Sequence, residues 1–346
     1  MSDRVSLALP SKGLLAEPTL NFLRTCDLNV HKLNPRQYTA SIPTLPQIDV
    51  LFQRVRDTVY KIADGTVHLG ITGLDVVKEH PSNELVVLHD NLGYGQCALV
   101  LAVPEAWIDV EYMSDLVDVS LDFREHKRRN LRIATKYANL TRRFLHANGL
   151  HHFTLVESEG ALEVAPTLGY ADIISDLTAT GTTLRENHLK PLVDGVVLSS
   201  QACLVANRTA LQTLPVVRET ARTLLELIDA ALQGKQYYSI TANMRGKSAE
   251  AIAQLVAQNP LTRGLQGPTI APIYTDNPAE AANGDMWYTV TIVVHSRDLL
   301  PAIAHLRSAG GMQATVTPVR YVFLQESPSD ALLEAALRKP PEPTTY

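Results

Sequence analysis

The chain of 346 residues is poor in cysteine, in aromatic residues and in net positive charge. Its three cysteines, Cys26, Cys97 and Cys203, lie too far apart for a CxxC pair or a disulfide framework, which points to a reducing compartment. No segment approaches the ~18–20 uncharged apolar residues of a membrane helix, and the N-terminal apolar run is too short for a signal peptide. The expectation is a cytoplasmic protein with no membrane partner. Lys plus Arg number 31 against 36 Asp plus Glu, a formal charge of -5. That is the wrong sign for holding a long nucleic acid by its phosphates, so no nucleic-acid polymer is expected. The patterns GxSxG, GxxxxGK[ST] and HExxH are missing. Gly93-x-Gly95-x-x-Ala98 fits the dinucleotide pattern, but a strand follows where a helix is required, so a domain crossover is the better reading.

What is present is ordinary globular composition, 45% hydrophobic and 19% charged, in a chain long enough for two or three domains. Apolar runs at 5–9, 48–52, 67–72, 85–88, 98–103, 131–135, 153–156, 172–175 and 196–205 read as strands. Between them, 59–63, 141–148, 162–168 and 215–233 carry helical spacing, and this alternation favours an α/β fold with a parallel sheet. Residues 110–127 fit neither element and read as an insertion. After Gly234 the order becomes strand 237–244, helix 248–258, strands 268–274 and 287–294, helix 298–309 and strand 314–324. That βαββαβ order is ferredoxin-like. The segment 327–346 ends in prolines without periodicity, as a mobile tail does. No internal repeat is visible.

The most informative window runs from Glu163 to Leu184. A hydrophobic strand carries Asp172 and Asp176 and opens into Ala179-Thr180-Gly181-Thr182-Thr183. Ligands in α/β folds sit at such strand ends. Gly181 allows close approach of backbone N–H groups to an anion, the threonine hydroxyls can donate, and a following helix would add partial positive charge. The aspartates can accept from sugar hydroxyls or from the waters of Mg²⁺. The same spacing also suits a strand followed by a capped helix with solvated aspartates.

This window resembles the phosphoribosyl diphosphate motif of the ATP phosphoribosyltransferase family, and the likeness extends along nearly the whole chain. Leu9-Pro10-Ser11-Lys12-Gly13-Leu14-Leu15, Arg54-Val55-Arg56-Asp57, Leu69-Gly70-Ile71-Thr72-Gly73, Leu131 to Tyr137 and Ser200 to Leu204 are similar to family segments in the same order. Two positions depart: Leu14 stands where the family has Arg, and His68 where Asp is common. Segments 110–127 and 278–284 look longer than the family core needs.

The resemblance implies a periplasmic-binding-protein-like catalytic core of two lobes, 1–93 with 199–234 and 94–198, a ferredoxin-like regulatory domain at 235–326 and a flexible tail at 327–346. It implies that ATP and phosphoribosyl diphosphate condense with Mg²⁺ to give phosphoribosyl-ATP and pyrophosphate, in histidine biosynthesis, with histidine as feedback inhibitor and a homo-oligomer between dimer and hexamer. Asp172, Asp176 and Lys12 are the implied catalytic residues. Glu163, Asp172, Asp176, Ala179, Thr180, Gly181, Thr182 and Thr183 would bind phosphoribosyl diphosphate. Lys12, Gly13, Arg54, Arg56 and Gly73 would face ATP or pyrophosphate, and Leu265 and Thr269 would bind histidine. The competing readings are a two-lobed anion-binding or effector-sensing protein and a catalytically silent regulatory paralogue.

Overall fold

A computed structural model describes residues 4–34, 36–158, 160–274 and 286–338. The chain divides into two compact units, residues 1–225 with 328–346, and residues 226–327. The boundary falls inside the helix Pro215–Gly234.

The first unit holds two sheets of the same topology. The six-stranded sheet runs Thr39–Ser41, Ile48–Gln53, Val5–Pro10, Leu69–Gly73, Ala202–Asn207, Leu85–His89. Beyond its short edge strand, the chain-order second, first and third strands are parallel, and Ala202–Asn207 returns antiparallel between the third and the fourth. The five-stranded sheet runs Phe153–Glu157, Leu131–Thr135, Ile173–Thr178, Cys97–Pro104, Leu189–Ser200, again second, first, third, an antiparallel visitor, and last. In each lobe the antiparallel visitor is the first strand after the chain has crossed between the lobes. The chain crosses after His89 and comes back through Gln201. Gly93 and Gly95, with φ of 77° and 71°, form the first crossing, where a side chain at 95 would collide with Leu15.

Strands covered on both faces show as unbroken apolar runs. Val5, Leu7, Ala8 and Leu9 are buried, and so is every residue of Leu69–Gly73. Each such Leu, Ile or Val contributes roughly 1.5–3 kcal/mol by leaving water. The helices cover the sheets through one stripe each, as Ala16–Thr25 does with Thr19, Phe22 and Leu23.

Two sequence expectations are corrected here. Residues 110–127 do form an element: Met113–Glu125 is a helix whose Met113, Leu116 and Phe123 pack with Ile133 and Ile173 in the core of the second lobe. The Asp115 carboxylate accepts from the N–H of Tyr112 at 2.8 Å and so caps it. The tail is not wholly mobile either. Pro328–Arg338 is a helix with Leu333 fully buried. Its residues Asp330 and Glu334 pair with Arg222, and Arg208 donates to the Ala336 carbonyl. Residues 339–346 and the segment 278–284 lie outside the described residues.

The second unit is a four-stranded antiparallel sheet ordered Thr269–Pro272, Met286–His295, Tyr237–Gly246, Met312–Pro318, with helices Ala249–Ala257 and Leu299–Ser308. This is the ferredoxin-like arrangement. Ile240, Ala242, Met244, Ile252, Val290, Ile292 and Leu306 make its core.

Candidate active site

The carboxyl ends of the first and third strands of both lobes converge on one cleft, where open α/β sheets place ligands. From the first lobe, Val5–Pro10 delivers Lys12, Gly13 and Leu14, and Leu69–Gly73 delivers Gly73 and Asp75. From the second, Leu131–Thr135 delivers Tyr137, and Ile173–Thr178 delivers Thr178 and Ala179. With Gln96 and Cys97 from the crossing they line a cavity of about 400 Å³. A larger opening of about 740 Å³ shares Gln96, Cys97, Thr178 and Ala179, and adds Thr180, Gly181, Arg185, Lys190 and Gln201.

The threonine loop is locally organised. Thr178 Oγ1 accepts from the Gly181 N–H at 2.9 Å, and the Thr180 and Thr182 hydroxyls are 2.9 Å apart. Gly181 has φ +72° and starts the helix Thr182–Glu186. That helix has only five residues, so the dipole expected from the sequence contributes little.

Asp176 shares the strand face of Thr178, two residues before it. Burial pushes its carboxyl above the ordinary range, against the Leu177 N–H that it accepts at 2.8 Å and the nearby Lys136, while Glu163 adds to the rise. Glu163 therefore lies within electrostatic reach of Asp176, and neither lines either opening. Asp172 lies elsewhere. It precedes the strand, at the end away from the loop, about 13 Å from Asp176 for four extended residues. Arg129 clamps its carboxylate at 2.6 and 2.8 Å, and Arg132 adds a guanidinium contact at 3.1 Å and its backbone N–H at 2.8 Å. Burial alone would raise this carboxyl, but the arginine hydrogen bonds outweigh it and hold it at about 2. With no free acceptor facing the cleft, Asp172 is a structural ion pair.

Lys12, Gly13 and Gly73 line the smaller cavity, whereas Arg54 and Arg56 line neither opening. Both follow the second strand, one position farther from the centre, and Arg56 turns to Tyr60. Leu14 is 90% exposed and lines the cavity. Thr183 belongs to the short helix. Leu265 and Thr269 are exposed in the second unit, Thr269 opening its edge strand. Cys203 is core: buried, with its thiol pushed up and Sγ directed at the Thr72 carbonyl.

Sequence reasoning missed a buried network that ties the lobes together. Tyr137 Oη donates to Asp75 Oδ2 at 2.6 Å, and Ser200 Oγ donates to Asp75 Oδ1 at 2.7 Å while accepting the Asp75 N–H at 2.9 Å. Burial and the adjacent Asp75 push the Tyr137 phenol far up, so it remains a donor. One turn on, the buried Glu79 accepts the N–H groups of Asn139 and Leu140 at 2.8 and 2.9 Å and caps the second lobe's helix Ala138–Ala147. A short polar residue after each strand end was the available signal.

Comparison with known proteins shows the family. The family model for ATP phosphoribosyltransferase matches residues 54–230, and the model for the HisG C-terminal domain matches 234–321. ATP phosphoribosyltransferase 2, chloroplastic, of Arabidopsis thaliana is 41% identical over 328 residues, covering 94% of this chain and 79% of its own length. The chain belongs to the ATP phosphoribosyltransferase family. It is of the long form, a pentosyltransferase of histidine biosynthesis. The ATP phosphoribosyltransferase of Bradyrhizobium sp. (strain ORS 278) is 37% identical over 341 residues, 98% of this chain and all of the relative. Among solved structures, the ATP phosphoribosyl transferase (HisG:HisZ) complex from Thermotoga maritima aligns with TM-score 0.49 and 26% identity, covering 65% of this chain and 96% of that one. No described helix is long and apolar enough to cross a membrane.

Proposed function

We propose that this cleft joins N1 of the ATP adenine to C1 of the ribose in phosphoribosyl diphosphate. The C1–O bond breaks, and its electron pair leaves with pyrophosphate. The observation that carries the reading is the cavity itself, where Lys12 and Gly13 of one lobe face Thr178 and Ala179 of the other. Such a displacement needs no protein nucleophile. It needs alignment of two bound substrates and compensation of the charge on the leaving group. In this reading Ala179 to Thr183 hold the 5-phosphate, Asp176 and Glu163 accept from the ribose hydroxyls, and Lys12 faces the departing pyrophosphate. Asp172 is left out because its oxygens are already taken by Arg129 and Arg132.

Among the described residues no group of three or more His, Cys, Asp or Glu could hold a metal ion. That is compatible with Mg²⁺ carried mainly by diphosphate oxygens and water, with one or two protein carboxylates, a role this reading gives to Asp176 and Glu163. Bound there, Mg²⁺ would neutralise charge on the leaving group.

We further read the second unit as the histidine-responsive part, with Leu265 and Thr269 in contact with the effector, and the exposed edge strand Thr269–Pro272 as a surface for pairing in a homo-oligomer. Truncation after Gly234 is a poor test, since it also removes the helix Pro328–Arg338 packed on the first unit. Thr269→Ala is cleaner: inhibition by histidine should weaken while uninhibited turnover stays.

The deciding assay mixes the protein with ATP, phosphoribosyl diphosphate and Mg²⁺ and follows phosphoribosyl-ATP. If Asp176→Ala and Gly181→Val both left turnover and the KM for phosphoribosyl diphosphate unchanged, the site assignment would fail. Leu14, exposed in the cavity where the family has Arg, favours the silent paralogue as second reading; folded protein that forms no product would support that alternative.

A further inference from the structure

A phosphate monoester dianion is held more tightly with cationic charge beside it, and the helix Thr182–Glu186 is too short to supply much of it. The loop itself offers neutral hydroxyls and N–H groups. The nearest cation is a side chain that the sequence window stops just short of.

From the short helix, Arg185 folds back over the loop. Its Nη1 donates to the Thr180 carbonyl at 3.4 Å and its Nη2 to Thr182 Oγ1 at 3.3 Å. Both bonds are long for a charged donor. A guanidinium carries five N–H groups, and only these two bonds engage it among the described residues. It lines the 740 Å³ opening, whose other charged lining residues are Lys190 and Glu105. Lys190 Nζ is occupied by the Ile108 carbonyl at 3.2 Å, and Glu105 faces His188 at 3.6 Å. The space above Gly181 belongs to Arg185 as well: a Cβ at 181 would lie 3.2 Å from Nη1. Glycine is favoured there by its φ of +72°, and a larger residue would also press on the guanidinium.

We propose that Arg185 is a phosphate-binding residue of this site. Its fork is parked on Thr180 and Thr182 in the free protein and turns to two oxygens of the sugar 5-phosphate when that group enters. The planar, permanently charged fork suits a bidentate phosphate contact, and lysine would reproduce only its charge. This rests on the reading of the threonine loop as the 5-phosphate site.

The test uses the full chain carrying Arg185→Gln, Arg185→Lys or Arg185→Ala, with kcat, both KM values and melting temperature measured. Arg185→Gln should raise the KM for phosphoribosyl diphosphate about tenfold or more, the loss expected for one charged hydrogen-bonding group, with the KM for ATP and the melting temperature held. Arg185→Lys should fall between. Guanidinium ion should restore part of the loss in Arg185→Ala. Competition by ribose 5-phosphate should weaken in parallel, and competition by pyrophosphate should not. An unchanged KM in Arg185→Gln would overturn the proposal. So would a loss that follows a lowered melting temperature and is not rescued by guanidinium, because Arg185 would then only brace the loop. If Gly181→Val and Asp176→Ala raise the KM while Arg185→Gln does not, this proposal alone fails; if none of the three raises it, the loop reading fails too.

Discussion

The two ends of the strand Ile173–Thr178 treat an aspartate in opposite ways. Asp172, just before it, is 9% exposed and held by two arginines, its carboxyl driven down to about 2. Asp176, inside it, has one backbone N–H and a carboxylate neighbour, and burial drives it up. One end is satisfied within the fold. The other is left with unused acceptor capacity two residues before Thr178, which lines both openings, and a buried charged group in that condition is costly unless a ligand completes it. A similar contrast separates Asp75, held by short bonds from Tyr137 and Ser200, from Arg185, which is held only by two long bonds.

The largest effect that could break this comparison is on stability. Asp172→Ala strands Arg129 and Arg132 and should cost about 3 kcal/mol, read by denaturant unfolding, with the specific activity of the folded fraction kept. If turnover fell and stability held, Asp172 would regain a ribose-binding role.

At the other end, Asp176→Asn should lower turnover about 100-fold with melting temperature equal or higher. A carboxyl raised by burial costs folding free energy at neutral pH, and the neutral amide removes that cost. A lowered melting temperature would make Asp176 structural after all.

Acid should separate the two ends further. A carboxyl held at about 2 against an ordinary 3.8 binds fewer protons folded than unfolded. Its contribution is therefore complete above pH ~4 and disappears as pH falls toward 2, about 2 kcal/mol in all. The stability gap between the protein and Asp172→Asn should close over that window. The smallest effect is expected at the network between the lobes: Tyr137→Phe leaves Asp75 one donor short and should cost about 1 kcal/mol, measured by melting, with a change in turnover only if the lobes shift.

The different fates of Asp172 and Asp176 were not legible in the sequence, because the arginines that hold Asp172 lie 43 and 40 residues away. Only the pairing of Ile133 with Ile173 sets where the strand begins. The helix Met113–Glu125 was missed because Ser120 interrupts its apolar stripe and a charged run follows Phe123. The helix Pro328–Arg338 was hidden by the prolines beyond it, and its single fully buried residue, Leu333, gains meaning only against the first unit. The threonine loop was legible because its residues are consecutive and share one function. Asp75, Tyr137 and Ser200 were not, since 62 and 125 residues separate them from their partners.

By itself the sequence determined the apolar runs, the α/β alternation, the change to βαββαβ after Gly234 and the contiguous anion loop, all set by periodicity and local backbone chemistry within a few residues. Only the tertiary structure decided that two lobes without visible sequence repetition share one topology, that one aspartate is consumed by arginines while the other keeps a single backbone N–H, and that Arg185 lies over Gly181. Those outcomes depend on which distant groups a buried charge meets, and burial makes that pairing compulsory without any local pattern recording it.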